Sequence, residues 1–391
     1  MLGFRNYERL DLTLAPGMVL LQGDNAQGKS NLLEALYMLA IAKSYRATSE
    51  RELVRHAPAG EPLQSQVAAV AQRAGSQIRV QVDLTVESAE APEGDTDVAG
   101  PLGDGAMVQK QVRVNGLRRR ASDLVGEINA VMFEAGDLDL VLGAPSVRRR
   151  YLDVLISQLD REYLRALQRY HRVVSQRNYL LKAIREGRGQ PAELDFWDGE
   201  LVASGGYLAH RRSTTIAVLS RTAAPIHAQL ADGESLDIGY EPSGYTGAGA
   251  SEADSRHALA KLLEQRRSRD IRQGLTSGGP HRDDLRLTLD GLDAGLYASR
   301  GQCRTVALAM KLAEAAYLRD ERGEEPVLLL DDVLSELDER RRLEVLEVAK
   351  SYEQCFITTS DPGQVDRSFL KRMTRFVVSD GTVQPFAPTD S

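Results

Sequence analysis

Gly23-Asp24-Asn25-Ala26-Gln27-Gly28-Lys29-Ser30 decides the fold. It is a complete G-x-x-x-x-G-K-S, preceded by the apolar run Met18 to Leu21 and followed by Asn31 to Ala42, which is apolar at helical spacing. Strand, glycine loop and helix in that order make a P-loop: backbone N–H groups wrap phosphate, and the helix N-terminus favours negative charge. Gly23 through Asn31 are therefore the candidate nucleotide-binding residues, with Lys29 directed at the β and γ phosphates and Ser30 at Mg²⁺.

A second motif completes the first. Val327-Leu328-Leu329-Leu330-Asp331-Asp332 reads as a buried strand ending in two carboxylates. A parallel strand covered on both faces is apolar throughout, and its carboxyl end opens where ligands bind. Asp331 is expected to hold the metal with Ser30, and Asp332 to polarise the attacking water. Read alone, such a pair of acids also suits a helix cap or a turn.

Outward from these motifs, β/α alternation occupies both ends of the chain. Leu10 to Leu14 reads as a strand, and Gln66 to Ala71, Gln77 to Val86 and Val108 to Asn115 alternate with period two. From Leu285 a strand, a helix from Gln302, the acid-tipped strand, a helix from Glu339 and a strand from Gln354 follow. Between them, Ser146 to Glu186, Leu194 to Leu230 and Ser255 to Gln273 carry helical spacing. The expectation is an α/β ATPase domain of residues 1–140 plus 275–391, interrupted by a mostly helical lobe of residues 141–274.

The 391 residues fit two compact units, and 42% hydrophobic with 27% charged residues is globular usage. No apolar run reaches the length of a membrane span, and residues 1–20 lack a signal-peptide pattern, so a soluble cytoplasmic protein without membrane partners is expected. Cys303 and Cys355 are too few for a disulfide framework. The net charge of −7 is uneven: residues 88–106 hold five acids and no base and read as a mobile loop, while residues 146–188 hold eleven bases and four acids. Arg148 and Arg149 with Arg165, Arg169 and Arg172 are candidate DNA phosphate contacts, or simply a solvated helix face.

Ala298-Ser299-Arg300-Gly301-Gln302 precedes a helix, and Ser335-Glu336-Leu337-Asp338 follows the acid-tipped strand. Ser299 by itself fits an N-cap. In this order, however, the motifs resemble the signature, Walker B and D-loop of an ABC-type ATPase. That resemblance implies that Ser299, Gly301 and Gln302 of one subunit cover the ATP of another in an ATP-dependent homodimer. Phe4 to Tyr7, Lys43 to Arg46, Arg148 to Asp153, Gln176 to Asn178 and Gly278 to Asp284 narrow the likeness to the RecF-like recombination mediators. These are ABC-type ATPases of the SMC kind with a compact helical lobe. The resemblance implies binding of duplex and gapped DNA, nucleoid association, cooperation with RecO and RecR in loading RecA, and weak DNA-stimulated ATP hydrolysis. Arg300 and Asp332 stand where ABC signatures and catalytic acids usually have Gly and Glu, and neither a Q-loop glutamine near Val131 to Asp137 nor a histidine near Thr358 to Asp361 is present. These departures imply slow turnover. Arg46 and Arg282 suit a γ-phosphate contact or an ion pair equally, and His281 suits a phosphate or water contact or, more readily, a core or loop position. The alternatives are a transporter nucleotide-binding subunit and a nucleotide-switched module that never turns over.

Overall fold

The computed structural model describes residues 1–55, 63–73, 75–87, 107–231, 233–245 and 251–387. The acidic stretch at residues 88–106 lies outside the described residues. The chain packs as two compact units, Met1–Ala135 with Gly323–Ser391, and Gly136–Arg322. Both ends of the chain thus build one unit. The division falls at 135 and 322, whereas the sequence suggests 140 and 274.

The first unit contains two six-stranded sheets. In the sheet that carries the phosphate loop, the order is Thr382–Pro385, Thr374–Ser379, Gly17–Gln22, Gln354–Thr359, Val327–Asp331, Ala130–Glu134. All neighbours are parallel except the terminal hairpin. The central strands are apolar in uninterrupted runs: Met18 to Leu21, Leu328 to Leu330 and Cys355 to Ile357 are each at most 6% exposed. Both faces are covered, so period-two alternation is absent. The other sheet is antiparallel, ordered Tyr7–Arg9, Leu2–Phe4, Gln64–Arg73, Ser76–Glu87, Met107–Val114, Leu117–Arg119. Leu10 to Leu14 forms no strand; the pairing falls on the residues before it.

The second unit is mainly helical, with long helices Pro145–Leu159, Arg161–Arg185, Leu194–Leu230, Glu252–Gln273 and Arg300–Arg322. The continuous apolar spacing over 146–186 breaks at Asp160, whose carboxylate accepts from the Glu162 and Tyr163 N–H groups and caps the second helix. The strand at Asp284–Leu289 pairs with Leu236–Glu241, a strand not expected from the sequence, and stays in this unit. A polar core holds the unit. Arg177 (0% exposed) binds Asp198, Asp270 and Thr276, while Arg212 binds Asp153, Tyr163 and the Pro280 carbonyl. Asp283 accepts from the Tyr240 and Tyr245 hydroxyls and the Ser243 N–H. Removing one member would leave a buried charge without its partner, which typically costs about 3–5 kcal/mol.

Candidate nucleotide site

The phosphate loop is shaped by glycines at two forced positions. Gly23 (φ +156°) lies so close to the neighbouring strand that a Cβ would stand 2.2 Å from the Val378 carbonyl oxygen. At Gly28 (φ +116°) a Cβ would stand 2.7 Å from Asn6 Nδ2 and 3.1 Å from the Tyr7 hydroxyl. A side chain at either would meet both left-handed backbone and a filled space.

Three separate stretches of chain brace the loop and the helix that follows it. Asn6 Nδ2 donates to the Gln27 carbonyl (3.0 Å), the Tyr7 hydroxyl to the Gly28 carbonyl (3.0 Å), and Gly381 N to the Gln27 carbonyl (3.0 Å). Asn31 Nδ2 donates back to Asn6 Oδ1 (2.8 Å). Arg5 grips the fully buried Glu34 through two 2.8 Å bonds, and Ser44 donates to the same carboxylate. The segments Phe4 to Tyr7 and Lys43 to Arg46 thereby brace the loop and the first turns of Lys29–Ile41.

Lys29 Nζ donates to the Gly23 and Asp24 carbonyls at 2.6 and 2.7 Å. Burial lowers its pKa, opposed by Asp332 and Asp331. Ser30 Oγ donates to Asp331 Oδ1 at 2.7 Å, across 301 residues of sequence. The Thr358 hydroxyl donates to the same oxygen at 2.9 Å and accepts from Asp332 N–H at 2.8 Å. Tyr45 donates to Asp331 Oδ2 at 3.1 Å, and burial raises its phenol pKa, which keeps the proton on oxygen. Asp332 takes left-handed backbone (φ 53°), and its Oδ1 is buried with no hydrogen-bond partner. Burial raises the Asp332 pKa. An orphaned buried carboxylate oxygen one residue beyond a serine-linked aspartate fits a water or cation between them, so Ser30, Asp331 and Asp332 suit a divalent ion with its water shell. Glu134 ends the adjacent strand in register with Asp331. It brings a carboxylate, not a glutamine, to that edge.

Sequence reasoning did not single out Tyr45, Thr358, Asn6, Arg5 or Glu34 for these roles. Their segments carried the family resemblance, but no local rule ties Arg5, Asn6, Tyr45 or Thr358 to the loop, or Glu34 to Arg5.

Ser299, Gly301 and Gln302 lie in the other unit. Ser299 N donates to Gln302 Oε1 (2.8 Å) and Gln302 N to Ser299 Oγ (3.3 Å), a reciprocal cap on Arg300–Arg322. Ser299, Arg300 and Gly301 are exposed. Gln302 also donates to Glu234 Oε1 at 2.7 Å.

The candidate DNA arginines divide. Arg148 forks onto Asp284 at 2.7 and 2.8 Å and donates to the Gly143 carbonyl, so its guanidinium is engaged within the unit rather than presented for a phosphate. Arg149 donates to the Asp283 carbonyl, and burial lowers its pKa. Arg165, Arg169 and Arg172 are exposed on one helix, with Arg169 paired to Glu200. His281 is held by the Tyr170 hydroxyl (2.7 Å) and the Thr276 carbonyl (3.2 Å); burial lowers its pKa to about 4, so it stays neutral in the interior. Arg46 and Arg282 are exposed.

Residues 1–383 match the family described as RecF/RecN/SMC N terminal domain. The chain is 43% identical over 389 residues to the DNA replication and repair protein RecF of Chloroflexus aurantiacus, with 97% of each covered. It is similar to the solved recombination mediator protein RecF-ATPrS of the RecFOR pathway: TM-score 0.84, 31% identity, 98% of this chain and 96% of that one. A likeness to the Smc head domain of Pyrococcus yayanosii (TM-score 0.51, 13% identity, 99% and 96% covered) extends the fold alone. With the phosphate loop, the acid-tipped strand and the parallel sheet between them already in place, these matches establish that the chain belongs to the RecF/RecN/SMC family, among its RecF members.

Proposed function

We propose that the protein is an ATP-gated DNA-binding mediator of recombination and repair, dimerising on ATP at duplex or gapped DNA and acting with RecO and RecR to load RecA. The observation that carries the ATP part is the Ser30–Asp331–Thr358 hydrogen-bonded centre beside the orphaned Asp332 oxygen. Lys29 and the loop N–H groups bind the β and γ phosphates. Ser30 and Asp331 would hold Mg²⁺, which would neutralise phosphate charge. Asp332, with its proton affinity raised by burial, takes a proton from the attacking water. Ser299, Gly301 and Gln302 close over the nucleotide of a second copy, which makes hydrolysis a property of the dimer. Turnover is slow, because the short Asp332 carboxylate has no histidine in the Thr358 to Asp361 segment, and it rises on DNA. Arg165, Arg169 and Arg172 contribute to DNA contact; Arg148 is dropped from that set because Asp284 holds it. In the cell such a protein works in the cytoplasm on the nucleoid.

Equilibrium binding to gapped, duplex and single-stranded DNA with ATP, ADP or no nucleotide tests the reading. Tightest binding to duplex-containing substrates in ATP is expected. Equal binding in all three nucleotide states would overturn the gating. Multiple-turnover phosphate release separates a slow ATPase from a switch that never turns over.

A further inference from the structure

The strands Met107–Val114 and Leu117–Arg119 form a hairpin at one edge of the antiparallel sheet, joined by Asn115-Gly116, in register Val112↔Arg119 and Arg113↔Arg118. A cleft of about 600 Å³ opens beside it, lined among others by Glu50, Lys110, Arg118, Arg119, Arg120 and Asp123. Four cations face two acids, and the acids have other work. Lys110 is salt-bridged to Glu50, and Asp123 accepts the Arg120 backbone N–H at 3.3 Å. Arg118, Arg119 and Arg120 are exposed, and among the described residues none of the three makes an ion pair.

Arg119 shares the sheet face of Lys110 while Arg118 leaves the opposite face of this edge strand, so the arginines flank the cleft from both sides of the edge and give it a net positive potential. Protecting a sheet edge from aggregation does not require this. At the opposite edge, Tyr7–Arg9 carries one acid and one base, and Glu8 is paired with Arg55. The cleft lining offers no exposed aromatic or large apolar anchor for a peptide side chain. Its chemistry is that of planar forks matched to phosphate oxygens. We propose that this cleft, on the unit that binds nucleotide, receives the phosphodiester backbone of duplex DNA as a contact surface separate from the arginines of Arg161–Arg185. The proposal rests on the DNA-binding reading above.

The test uses the full-length protein with Arg118, Arg119 and Arg120 all changed to Gln, and a companion with all three changed to Lys. Binding of a fluorescent duplex is measured in ATP across a salt series. The Gln variant should bind at least about tenfold more weakly near 0.1 M salt, and its slope of log K against log salt should fall by up to about three, since each phosphate contact contributes roughly 0.9. The Lys variant should keep most of the slope, while ATP affinity and thermal unfolding of both match the unmodified protein. Unchanged duplex affinity and slope in the Gln variant would overturn the proposal, as expected if an acidic polypeptide is the true occupant. Failure of the unmodified protein to bind duplex in any nucleotide state would instead sink the DNA-binding reading itself.

Discussion

The phosphate loop and the signature turn contrast in how far their hydrogen bonds reach. Ser30 meets Asp331 across 301 residues and Tyr45 meets Asp331 across 286, whereas Ser299 and Gln302 close a cap within three. The first is an assembled centre with one orphaned atom, Asp332 Oδ1. The second satisfies itself, is exposed, and has no chemistry of its own until something is brought to it. Under the proposed function, the first would hold nucleotide and the second would meet the nucleotide of another copy, the two parts a ligand-gated association needs.

Removing Lys29 should break the first side of this contrast outright. Lys29→Met deletes a buried, hydrogen-bonded charge, so ATP affinity should fall about 100-fold or more by calorimetry. Near-normal affinity would mean the loop alone is the binding site. Asp332→Asn should sharpen the contrast by separating holding from turnover: ATP affinity near normal, phosphate release down about 100- to 10,000-fold, and the ATP-bound dimer prolonged. Wild-type release would remove Asp332 from catalysis.

Acid should then distinguish the two units. His281 has its folded pKa depressed to about 4 from an ordinary 6.5, so its stabilisation is present above pH 6.5 and fades as pH falls towards 4. The shift corresponds to about 3 kcal/mol. Asp332 runs the opposite way, since a raised carboxylate pKa favours the folded state at lower pH. Hydrogen exchange from pH 7 to 4.5 should show Gly136–Arg322 loosening first. Simultaneous loosening of both units would contradict this.

The smallest effects address the turn. Ser299→Ala should cost only about 1 kcal/mol as a lost cap. Ser299→Arg should leave monomer ATP binding intact yet block ATP-induced dimerisation in sedimentation, and mixing it with Lys29→Met should restore part of the ATPase activity that neither shows alone. Dimerisation of Ser299→Arg in ATP would sink the shared site.

Legibility in the sequence followed the same divide. The phosphate loop, the acid-tipped strand and the helix after Ser299 are contiguous patterns, and each lies where its spacing puts it. Leu10 to Leu14 alternates apolar and polar residues yet finds no partner strand, while Leu236–Glu241 carries a glycine and becomes a strand only because Asp284–Leu289 pairs with it. Thr374–Ser379 is equally quiet in sequence, although its Val378 carbonyl fixes Gly23. Charge was hardest to place. Arg148 looked available until Asp284, 136 residues away, claimed it, and Arg118 to Arg120 attracted no notice because the cleft that gathers them exists only in three dimensions.

The strand order of the nucleotide-binding sheet also dictates when the protein can first work. Gly17–Gln22 sits between Gln354–Thr359 and Thr374–Ser379, so neither neighbour exists while the ribosome is making the intervening chain. At ~5–20 residues per second that wait is on the order of half a minute, during which Gly136–Arg322 can complete its own fold. The apolar run Met18 to Leu21 is an unpaired edge throughout, and premature termination anywhere before Thr359 yields a lobe without a nucleotide centre. The Met18 to Leu21 run is therefore open to chaperone capture until Gln354–Thr359 is made, and deleting Gln354–Thr359 and Thr374–Ser379 should remove both neighbours of the strand that leads into the phosphate loop.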